Sequence, residues 1–92
     1  MEMTTTSTRA SIIRVKIEEG RAGLFYATSP DLAGLLVAEP DIDALDLAIP
    51  LAITDLFAAR DIEVVVTKAK NDDPVFYPWV AIPADIARSF AA

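Results

Sequence analysis

The stretch from Tyr26 to Phe57, YATSPDLAGLLVAEPDIDALDLAIPLAITDLF, constrains the fold of this chain more than any other. Ser29-Pro30-Asp31 is turn chemistry, because proline fixes φ and aspartate can bond its own local backbone. Gly34 supplies a positive φ ahead of a short strand over Leu35 to Glu39. Asp41 is placed to cap a helix, and Asp43 falls in its first turn, where the helix dipole favours a carboxylate. Ile42, Leu45, Ile49, Ala52, Ile53 and Leu56 recur at the i, i+3/i+4, i+7 spacing of one buried stripe. Pro50, well inside the helix, deletes a backbone donor and predicts a kink, with a break into two shorter helices as the alternative.

The flanks are strand-like. From Ser11 to Glu18, Ile13, Val15 and Ile17 share one face and Arg14, Lys16 and Glu18 the other, with Ile12 an apolar exception on the polar side. Glu19 to Gly23 predicts a hairpin loop of about five residues, and Leu24 to Thr28 the returning strand. Arg60-Asp61 ends the helix. Ile62 to Ala69 reads as a strand around Val64-Val65-Val66, and Lys70 to Pro74 as a loop. Val75 to Ile82 is extended and aromatic, with Pro78 marking it as an edge or irregular strand. Pro83 to Phe90 is a short final helix. The expected class is α+β: an antiparallel-rich sheet of three to five strands with one main helix packed on it, in the order β-β-β-α-β-β-α. Residues 1–10 are expected to be a disordered N-terminus, 11–70 the α+β domain, and 71–92 a strand-helix extension of that domain.

Leu47, Leu51 and Ala58 form a second stripe, away from the first by the 100° step per residue. A helix on one face of a sheet should be polar there. Either the C-terminal segment folds back over this stripe, or it is an oligomer or partner interface. Here composition matters. The chain is 53% hydrophobic, which suggests apolar surface kept for a partner or a second copy. Its net charge is −6, and between Ser29 and Glu63 Arg60 is the only base among eight acids. Such a segment repels phosphate backbones, so direct nucleic-acid binding is not expected, whereas a basic protein partner suits it. Asp43 and Asp46, i and i+3 on the helix surface, join the candidate interface. So does Trp79, whose aromatic neighbours Phe76 and Tyr77 have no bases beside them for a nucleobase platform.

Catalytic chemistry finds little footing. The chain has no cysteine and no histidine, which removes the thiolate, the commonest general base and the commonest metal ligand. Three glycines form no phosphate loop, and the carboxylates have no calcium-loop spacing. No enzyme activity, cofactor or metal is expected. No apolar run approaches the ~20 residues of a membrane span, and the N-terminus lacks the apolar segment of a signal peptide. A cytoplasmic location is the expectation.

The run Tyr26-Ala27-Thr28-Ser29-Pro30-Asp31-Leu32-Ala33-Gly34-Leu35, set between two strands and followed by the helix capped at Asp41, resembles the HicB-like antitoxin domain. The similarity is to a short branch of that family whose helix leads directly into another strand, and it covers about residues 11–70. Asp31, Leu32, Gly34 and Asp41 carry the motif; Ala33 stands where the family usually has proline. The resemblance implies a degraded ribonuclease-H-like sheet with one main helix, and a protein that occludes a small basic messenger-RNA-cleaving toxin. Many relatives also repress their own operon through a C-terminal DNA-binding segment. Trp79 to Ile86 is similar only to the opening of a ribbon-helix-helix and lacks its second helix.

Overall fold

The computed structural model describes residues 9–70 and 73–91. The expected disorder at residues 1–10 therefore lies mostly outside the described residues, as does the middle of the Lys70–Pro74 loop. The chain runs β1 (Ser11–Glu19), a 3-10 turn (Arg21–Gly23), β2 (Phe25–Thr28), β3 (Leu36–Glu39), α1 (Ile42–Ala58), β4 (Val64–Lys68), β5 (Phe76–Pro83) and α2 (Ala84–Ala91). All five strands pair antiparallel in the order β3-β2-β1-β5-β4. The α+β class and the order of elements are as the sequence predicts.

Local chemistry explains the joints. Ala22 and Gly23 adopt φ of 61° and 72° to close the β1–β2 hairpin. The Asp41 carboxylate accepts from the Ala44 backbone N–H at 2.7 Å, capping α1. At the other end, the Asp61 N–H donates to the Ala58 carbonyl and the Ile62 N–H to that of Phe57. This paired ending needs a left-handed residue, and Asp61, φ 61°, takes the place glycine usually fills.

The helix lies across one face of the sheet. Leu45, Ile49 and Ile53 are fully buried against Ile13, Val15, Ala27, Val64, Trp79 and Ala81. Burying such a side chain stabilises the fold by roughly 1.5–3 kcal/mol each. Ile42 is the exception in the predicted stripe: at the helix start it stays 46% exposed. Pro50 does not split the helix, which is continuous over 17 residues.

Two expectations are corrected. Pro78 predicts an edge or irregular strand, yet β5 is a regular strand between β1 and β4. A residue in an extended strand aims its N–H and its C=O to the same side. The Pro78 carbonyl accepts from the Ala69 N–H at 3.0 Å, on the β4 side and just past the last β4 ladder residue. The missing N–H thus falls where the β4 ladder has ended, and pairing with β1 is intact through Arg14↔Pro78. The second correction concerns the outer helix stripe. The C-terminal segment does not cover it, because residues 76–83 are used as β5 and α2 packs against β4 and β5.

Candidate functional site

Two surfaces gather the residues that the sequence marks for interaction. The first is the outer face of α1. Leu47 and Leu51 are 74% and 67% exposed there, and Ala58 is exposed on the same side. One turn of helix, about 6 Å, separates the two leucines. The helix contains Asp43, Asp46 and Asp55 and no base, so the leucines sit in an acidic field.

The second surface is a cleft of about 260 Å³ beside the first turns of α1. Asp43 and Asp46 line it from the helix and Trp79 and Tyr77 from β5, with Ile17, Ile42 and Lys68 completing the wall. The register explains the gathering. Ile17, Tyr77, Trp79 and Lys68 occupy helix-facing positions of β1, β5 and β4, and Trp79 pairs with Lys68 across the ladder. The Lys68 ammonium donates to the Asp46 carboxylate at 2.8 Å and stands 5.6 Å from the centre of the Trp79 ring. Asp43 makes no ion pair among the described residues. The structure therefore unites Asp43, Asp46 and Trp79 and sets Leu47, Leu51 and Ala58 apart on the neighbouring helix face. Lys68 and Tyr77 are the cleft residues beside them that the sequence did not mark for interaction. Only strand alternation through Lys68 could have signalled them.

The motif residues serve the scaffold. Asp31 accepts from the Arg14 backbone N–H at 2.9 Å and from its guanidinium at 2.8 and 2.7 Å, closing β1 where β2 has ended. The side-chain bonds from Arg14, then the backbone one, hold the Asp31 carboxyl down at about 2. The same guanidinium stands 5.3 Å from the centre of the Phe76 ring. Leu32 is buried in the core, and Gly34, φ 91°, closes the turn with Leu56 just beyond its α-carbon.

Another hollow, about 430 Å³, is an open groove between the end of α1 and the start of α2. It mixes Arg60 and Arg88 with Asp61, Glu63 and Asp85. Among the described residues no three acidic side chains are grouped to hold a metal ion, and no helix is long and apolar enough to cross a membrane. No protein-family model, curated protein or solved structure matches the chain.

Proposed function

We propose that this chain is a non-catalytic protein-binding module of the HicB-like antitoxin kind, which neutralises a small basic RNA-cleaving toxin. The observation that carries the reading is the uncovered leucine pair on a helix with acids and no base. Leu47 and Leu51 would supply the apolar anchor, and Asp43, Asp46 and Asp55 the charges that steer a basic partner onto it. The resemblance of the Asp31–Gly34 frame names the class of partner. The family's DNA-binding role is not carried over, since β5 is paired on both sides within the sheet.

The test is affinity purification of the tagged chain from its own host, with identification of the bound chains. A small lysine- or arginine-rich protein should co-purify, dissociate at high salt, and bind at least about tenfold more weakly to Leu47→Asp or Leu51→Asp. Absence of any such protein, or undiminished retention by the double variant, overturns the reading.

A second reading, a stand-alone homo-oligomer, draws on a different observation. The face of the sheet away from α1 is apolar over β5 and β4. Ile12 is 65% exposed beside Val80, and Val65 is 49% exposed beside Ile82. An antiparallel sheet with one solvated face normally turns polar residues outward.

A further inference from the structure

We infer that the cleft beside the first turns of α1 is a receptor for one arginine side chain of a partner, and that Lys68 occupies it in the free chain. The inference rests on the reading that the partner is basic, and it adds where and how a cation is taken.

The cleft combines the three components that hold a cationic side chain. Trp79 offers a ring face with a cation already over it, 5.6 Å from the ring centre. Asp46 offers a carboxylate that bonds an ammonium at 2.8 Å. Ile17 and Ile42 offer apolar wall for an aliphatic stem. The charges do not balance, however. Two carboxylates line the space and Lys68 is the only cation among its lining residues, so Asp43 makes no ion pair among the described residues. Asp43 and Asp46 are three residues apart on one helix, which puts their β-carbons about 5–6 Å from each other.

The chemistry selects guanidinium over ammonium. A guanidinium carries five donors in a rigid plane, so it can bridge two carboxylates and stack on an aromatic ring at once. An ammonium is a compact, strongly hydrated point charge and does this poorly. Lys68 reaches Asp46 and Trp79 from the edge strand β4, and its side chain remains 55% exposed. An exposed ion pair of this kind contributes little to stability. It is readily displaced. The arriving guanidinium bridges Asp43 and Asp46 over the Trp79 ring, and Lys68 is released to water.

The experiment needs no knowledge of the partner. N-acetyl-arginine amide is titrated into the full chain at constant ionic strength, with the neutral isostere N-acetyl-citrulline amide as control. Trp79 is the sole tryptophan, so its fluorescence reports on this cleft alone; amide NMR shifts at Asp43 and Asp46 give a second readout. Removing the internal competitor with Lys68→Met should tighten binding of the arginine probe a few-fold. Asp43→Asn with Asp46→Asn should abolish it, and the citrulline probe should leave Trp79 unchanged. Equal responses to arginine and citrulline overturn the proposal. So does absence of a saturable response in Lys68→Met, or in Lys68→Gln if the methionine variant does not fold. Failure here leaves the leucine face and its co-purification test untouched, so the two ideas fall separately.

Discussion

Asp31 receives three hydrogen bonds from a single arginine, one from its backbone and two from its side chain. Its carboxyl titrates at about 2 in the fold against an ordinary value of 3.8. A carboxyl depressed by folding adds stability that is fully present above its unfolded value and is lost as pH falls through its folded one. Asp31→Ala should therefore destabilise the chain by a constant amount from neutrality down to about pH 5. The gap from wild type should then shrink between about pH 4 and pH 2, as read from urea unfolding at each pH. A gap independent of pH over that window would remove the Arg14 pairing as its cause. In the sequence Asp31 reads as a turn residue serving its own neighbourhood. Only part of that is legible. Its N–H does donate a local bond to the Ser29 hydroxyl oxygen at 3.0 Å, but its carboxylate serves a strand residue seventeen positions away, which no local pattern encodes.

Among the elements, α1 carries the plainest tension. Pro50 cannot donate to the Asp46 carbonyl, and its ring crowds that oxygen. Thr54 bonds the Pro50 carbonyl with its hydroxyl at 2.7 Å, the kind of side-chain contact that accompanies a bent helix. Pro50→Ala restores the donor and should stabilise the chain by about 1–3 kcal/mol, measured by the shift of its urea midpoint. Loss of stability instead would mean that the core is shaped to a bend. Element positions were legible because each has a local cause, such as the Asp41 cap, the Gly34 turn and the alternation of β1. The place of β5 was not. The rule that keeps proline at sheet edges concerns the missing N–H, and Pro78 meets it by facing its nitrogen past the end of β4. Ile42 shows the complementary limit: a stripe drawn by angle assigns it to the core, yet at the helix start it lines a solvent-open cleft.

The whole molecule presents apolar surface on two opposite sides, the outer face of α1 and the back of the sheet. Its strand β5, FYPWVAIP, is a nearly continuous apolar run, the pattern of a strand enclosed on both faces. Light scattering at high micromolar concentration separates the two functional readings. The homo-oligomer reading expects a dimer or larger that dissociates in Val80→Asp and survives in Leu51→Asp. A monomer removes that reading and leaves the partner-binding one. Strand order could not be drawn from the sequence, since β1 pairs with a strand some sixty residues further on and only three-dimensional register decides that. Birth order adds a consequence. On the ribosome β1 and β4 both emerge before the strand that joins them, so each carries a row of unpaired amides and carbonyls while the rest is made. At roughly 5–20 residues per second that wait lasts some seconds for β1. The nascent chain is then an open sheet with a gap in its middle, most prone to pair with a neighbour just before β5 arrives to close it.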